Sequence, residues 1–108
     1  MNILETVVCS ANAGVEARLE RMISARVEFR KRQAGCLKSW YGKSVSDESL
    51  FIFQSIFQDV ESMKEISKLS LETLDVKDQG IESCLIGPPL IGIFEISVKD
   101  IDGMQNST

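Results

Sequence analysis

The sequence contains no histidine at all. Imidazole general bases, Ser/His/Asp triads and histidine-ligated haem or zinc are therefore outside its chemistry. Cysteine is scarce and odd in number, at Cys9, Cys36 and Cys84. The three lie in apolar or strand-like surroundings without ligand spacing, which predicts reduced thiols in a cytoplasmic protein and neither a disulfide framework nor a metal site. Carboxylates are scattered along helix faces, and no glycine-rich phosphate loop is present. The chemistry-bearing residues form no catalytic constellation, and the expectation is that no cofactor is bound. The start, MNILETVV, has neither a basic n-region nor a long apolar h-region, and no apolar run reaches a membrane span. The formal net charge is -4, which argues against a general affinity for nucleic acid or anionic membrane.

What is present is enough for one small domain: 108 residues, 44% of them hydrophobic. Residues 1–98 carry the pattern of the domain, and the polar stretch from Lys99 to Thr108 reads as a loose tail. From Asn2 to Ser10 a strand is expected with both faces apolar, Ile3 and Val7 on one and Leu4 and Val8 on the other. Glu5 interrupts it, and such a carboxylate belongs at an edge, in a salt bridge or in a polar cavity, the first two being favoured. Asn12 is the expected cap of a long amphipathic helix from Val15 to Gln33, built on Val15, Leu19, Met22, Ile23, Val27 and Phe29. Arg30, Lys31 and Arg32 sit where cations oppose the helix dipole, with Gly35 beyond.

Cys36 to Val45 reads as a second strand carrying the adjacent Trp40 and Tyr41, whose rings must point to opposite faces. The sequence leaves open which ring faces the helices. SVSDES is a hairpin loop, and Leu50 to Gln58 a third strand with Phe51, Phe53, Ser55 and Phe57 on one side and Ile52 and Ile56 on the other. Asp59 caps a second helix holding Val60, Met63, Ile66 and Leu69, which bends near Ser70 and resumes through Leu74, Ile81 and Leu85. Gly87, Pro88 and Pro89 end it before a last strand, Leu90 to Val98. The order βαββαβ predicts an α+β, ferredoxin-like fold with an antiparallel sheet and helices on one face. The free face is expected to be aliphatic, made by Ile3, Val7, Ile52, Ile56, Ile91 and Ile93, and covered by a second copy in a homodimer.

Three segments, AGCLKSWYGK, LFIFQSIFQDVESMKEI and GPPLIGIFEI, resemble the dimeric α+β barrel family of antibiotic biosynthesis monooxygenases and related quinol monooxygenases. The likeness runs from Ile3 to Val98: a glycine-cysteine helix end entering strand two, an aromatic strand three before an acidic helix start, and a proline turn before strand four. It implies a dimeric α+β barrel and a cofactor-independent monooxygenase acting on a small aromatic or quinol-type compound. The haem-degrading members carry a histidine on the second helix, an asparagine on the first strand and a tryptophan closing the third. Here Ile66 lies near the histidine's place, Glu5 to Val8 hold no asparagine, and Phe57 stands for the tryptophan.

Three classes follow. In the first, a monooxygenase whose substrate is its own reductant, Phe51, Phe53 and Phe57 form a pocket wall, with Ser55, Arg26 and Trp40 or Tyr41 as polar members. In the second, the same fold holds a small hydrophobic metabolite without turnover. The third, an RNA-recognition domain, shares the strand order, but Glu48 and Ser49 stand before strand three where that domain has a basic residue and glycine. The phenylalanine stripe has two readings that the sequence leaves open, a pocket wall or plain core.

Overall fold

The computed structural model describes residues 1–97. Four strands, β1 (Asn2–Ser10), β2 (Cys36–Lys43), β3 (Leu50–Phe57) and β4 (Leu90–Ile96), form one antiparallel sheet in the order β2-β3-β1-β4. Helix α1 (Glu16–Lys31) joins β1 to β2, and α2 (Val60–Ser70) follows β3. This is the split βαβ arrangement expected from the sequence. Val98 and the tail from Lys99 to Thr108 lie outside the described residues.

Register decides which side chains meet. Ile3, Glu5, Val7 and Cys9 stand opposite Phe57, Ser55, Phe53 and Phe51, and this set faces the helices. Glu5 and Val7 are also opposite Ile93 and Ile91 of β4. The outer face instead carries Leu4, Thr6 and Val8 with Ile56, Gln54 and Ile52, flanked by Leu90, Gly92 and Phe94. The expected aliphatic face is therefore corrected: Ile52 and Ile56 lie on the outer side, whereas Ile3, Val7, Ile91 and Ile93 lie on the helix side. Pairing antiparallel strands places directly opposed residues on one face, so a choice of one residue in register moves a whole set. Trp40 is opposite Gln54 on the outer face, and Tyr41 is opposite Phe53 on the helix face. On that outer face the Phe94 ring lies over Gly92, where a Cβ would come within 2.6 Å of it.

The core divides in two. One cluster joins Val7, Cys9, Leu19, Met22, Ile23, Val27, Phe51 and Phe53 to Ile81, Cys84 and Leu85; the other joins Ile3 and Phe57 to Met63 and Ile66. Helix α1 supplies its share through Leu19, Met22, Ile23, Arg26, Val27, Phe29 and Arg30, a single stripe at helical spacing that includes two arginines.

Element ends differ in detail from the expectation. Asn12 does not cap α1: its Nδ2 donates to the Leu85 carbonyl at 3.0 Å, tying the β1–α1 turn to the approach to β4, and the helix starts at Glu16. Gly35 has φ +98, and a Cβ there would meet Ser62 Oγ at 2.7 Å, so glycine is needed for both conformation and space. Asp59 does cap α2, accepting from the Ser62 N–H at 2.7 Å. Beyond Ser70 the chain does not bend away. It continues through a π-helical turn, Leu71–Asp75, into α3 (Val76–Asp78), and ends at Gln79 with φ 69. A short 3-10 turn, Ile81–Cys84, then leads toward β4.

Candidate functional site

A cavity of about 170 Å³ opens between the helix side of the sheet and the helices. The sheet gives it Glu5, Val7, Phe53 and Ile91; α1 gives Arg26 and Arg30; the run from α2 through the π turn gives Ser67, Ser70, Leu71 and Asp75. It lies where the helix layer stops short of β4, whose Ile91 and Ile93 remain half-exposed although they face that layer. The apolar part of the wall is Val7, Phe53, Leu71, Ile81, Pro89 and Ile91; Glu82 also borders the cavity, and the remaining charge gathers in two places.

The first is the floor. Arg30 Nη1 donates to Glu5 Oε1 at 2.5 Å and to Ser55 Oγ at 3.1 Å, and Ser55 Oγ is 2.9 Å from Ser39 Oγ. All four residues are buried, Ser55 completely. A buried ion pair survives only with good geometry and further hydrogen bonds, and the serines provide them. The guanidinium carbon also stands 5.8 Å from the ring centroids of both Phe53 and Phe57. It thus sits between the two core clusters, held by π-faces as well as by Glu5. Its Nε is buried without a hydrogen-bond partner among the described residues. Nη2 likewise has no hydrogen-bond partner among the described residues.

The second is the wall. Arg26 donates to Asp78 through Nη1 at 3.0 Å and Nη2 at 3.1 Å, to Asp75 through Nη2, and to the Met22 carbonyl at 3.1 Å. The wider π turn and the residues after it bring both carboxylates to this one guanidinium. Hydrogen bonds from Arg26 hold the Asp78 carboxyl below its ordinary range despite partial burial. With both terminal nitrogens engaged, Arg26 is a clamp between α1 and the π-helical segment.

The expected site residues fall in several places. Phe53 and Arg26 border the cavity. Ser55 lies beneath its floor as an acceptor for Arg30, while Phe51 and Phe57 are fully buried in the two core clusters. Tyr41 faces the same side but its hydroxyl donates to Glu20 at 3.1 Å; that bond, chiefly, raises the phenol above its usual range. Trp40 is across the sheet. Arg30, grouped by sequence with Lys31 and Arg32 as a helix-end cation, instead lies on the buried stripe, seven residues after Ile23 and four after Arg26. Glu5, expected at an edge, in a salt bridge or in a polar cavity, is not at an edge: it is paired with Arg30 on an inner strand and also lines the cavity.

Among the described residues, no group of three or more His, Cys, Asp or Glu side chains gathers as ligands for a metal ion, and no helix is long and apolar enough to cross a membrane. The arrangement can enclose an apolar body and offer its polar end a carboxylate beside a guanidinium.

Neither a protein-family model nor a curated protein matches the sequence. Solved structures do match the fold. SnoaB of Streptomyces nogalater, a cofactor-independent oxygenase, superposes with a TM-score of 0.73 at 12% identity, over 88% of this chain and 92% of that one. PA3566 of Pseudomonas aeruginosa gives 0.76 at 21% identity over 90% and 95%. A protein of Nitrosomonas europaea provisionally named an antibiotic biosynthesis monooxygenase gives 0.76 at 14% identity over 87% and 97%. The chain has the fold of antibiotic biosynthesis monooxygenase-like proteins.

Proposed function

We propose that this chain, built on the antibiotic biosynthesis monooxygenase-like fold, takes a small aromatic or quinol-type compound into the cavity between sheet and helices and oxygenates it without a cofactor. The observation that carries the reading is the cavity itself, walled by Val7, Phe53, Leu71, Ile81 and Ile91 and floored by the Glu5–Arg30 pair. An electron-rich ring can serve as the reductant for oxygen; what it asks of a protein is an apolar enclosure and stabilisation of a developing anion. The buried guanidinium of Arg30 is positioned for the second task. Its likeness in fold to SnoaB, described as a cofactor-independent oxygenase, supports the same reading.

The chain acts as a homodimer in this reading, joined through the outer sheet face. That face presents Leu4, Val8, Ile52, Leu90 and Phe94, of which Leu90 and Phe94 are more than half exposed. Three free thiols suit the reducing cytoplasm.

A panel of single-ring phenols and quinols, screened by thermal shift and then by oxygen uptake, tests the function. Stabilisation with uptake is the expected result. Stabilisation without uptake makes the protein a binding module for the same ligands, the reading favoured by the absence of a histidine base. No stabilisation by any compound overturns both.

A further inference from the structure

Building on the aromatic-cavity reading, we infer that Glu5 and Arg30 act together as a hydroxyl selector: the cavity takes a one-ring compound through a neutral hydroxyl group and rejects the corresponding carboxylate. The size argument comes first. A cavity of about 170 Å³ is close to the roughly 150 Å³ void that accepts benzene in an engineered core, so one ring fits within it. Anything larger must project through the mouth toward β4.

The chemistry follows from what the floor has to offer. Arg30 spends Nη1 on Glu5 and Ser55, leaving Nη2 without a hydrogen-bond partner among the described residues, on a side chain that lines the cavity. Glu5 shares that floor, with one oxygen engaged by Arg30. A ligand therefore meets a donor and an acceptor side by side. A hydroxyl satisfies both, accepting from Arg30 and donating to Glu5. A carboxylate can only accept. It would bring a second negative charge against the carboxylate of a residue that is only 9% exposed, where repulsion is poorly screened. Arg26 does not relieve this, because Asp75 and Asp78 already hold it. A methyl ether can accept but not donate, and leaves Glu5 without the bond that a hydroxyl makes.

The same pair gives the hydroxyl proton a destination. Transfer to a Glu5 oxygen would leave the ring oxygen as an anion facing Arg30, with no change in the number of electrons and no further reactant.

Three matched ligands test the inference on the intact protein by calorimetry: para-cresol, its methyl ether and para-toluate. Para-cresol should bind at least about tenfold more tightly than either of the others, the scale set by a hydrogen bond to a charged group. Glu5→Gln should narrow the gap between para-cresol and para-toluate by removing the repulsion. Ser67→Trp, at a half-buried lining position, should weaken all three and so locates binding in this cavity whether or not Glu5→Gln folds. Equal affinity for para-cresol and its ether, or tighter binding of para-toluate, would overturn the selector while leaving an aromatic cavity in place. Failure of all three to bind would overturn the cavity reading and the selector together.

Discussion

Glu5 on β1 stands directly opposite Ser55 on β3, and a single nitrogen of Arg30, reaching down from α1, bonds to both. A charge in the middle of a four-stranded sheet needs such an answer, since an uncompensated carboxylate in low dielectric costs several kcal/mol. The answer also joins the helix layer to the two inner strands, at the boundary between the two halves of the core. Structure and proposed chemistry thus use the same atoms.

Removing one member should be far worse than removing both. Arg30→Met leaves Glu5 buried without its cation and is expected to cost about 3 to 5 kcal/mol. Combining it with Glu5→Leu should recover most of that loss. Urea unfolding of the wild type, both single variants and the double variant gives the coupling; additive losses would mean that the pair contributes little to stability.

The phenylalanines should separate in the same assay. Phe57 is fully buried between Ile3, Met63 and Ile66, so Phe57→Ala should lose about 3 to 5 kcal/mol. Phe53 borders an existing cavity, and Phe53→Ala should lose distinctly less because part of its surface already lacks packing partners. Equal losses would assign Phe53 to solid core.

Much of this fold was legible because its signals are local. Asp59 before an acidic first turn, the glycine at Gly35 and the alternation of Phe51, Phe53 and Phe57 each specify an element without reference to the rest. The face on which a strand's residues end up is not local. It depends on register against neighbours, and for β4 both faces are apolar, so nothing in Leu90, Ile91, Ile93 and Phe94 separates inside from outside. The site was legible in part for a similar reason. Phe53 and Arg26 carry signals of their own, whereas the role of Arg30 appears only when Glu5 and Ser55, far from it in sequence, come to the same spot. The π turn that brings Asp75 to Arg26 has no sequence signature of comparable strength.

The corrected faces sharpen the test of assembly. Ile52→Asp places a charge on the outer face and should convert the expected dimer to monomer or aggregate. Ile93→Asp, on the helix side of β4, should leave the dimer intact. Sedimentation velocity distinguishes the two; a wild-type monomer at micromolar concentration would remove the outer-face dimer altogether.

Thiol chemistry should report burial. Burial pushes the Cys9 thiol up to about 11, and Cys36, chiefly through burial, is also raised. Since the thiolate is the nucleophile, native protein near neutral pH should react slowly with a thiol reagent, the half-buried Cys36 first, with Cys9 and Cys84 labelled only on unfolding. Rapid labelling of Cys9 in native buffer would contradict its place in the core.

The Arg26 clamp should give stability an acid limb. Asp78 has a folded carboxyl held below its ordinary value of 3.8, chiefly by its hydrogen bond from Arg26. A depressed carboxylate contributes stability that is complete above the unfolded value and disappears as pH falls through the folded one. Unfolding midpoints measured from neutral pH downward should therefore hold until the ordinary carboxylate range and then drop. Asp78→Asn removes this group's share of the titration: it should lower stability at neutral pH and make the decline below that range shallower. Because the clamp ties the π-helical segment to α1, the same variant should increase hydrogen exchange at the amides of Leu71 to Asp75 more than at those of β1 and β3. An unchanged acid limb, with no added exchange in that segment, would show that Asp75 alone holds the clamp.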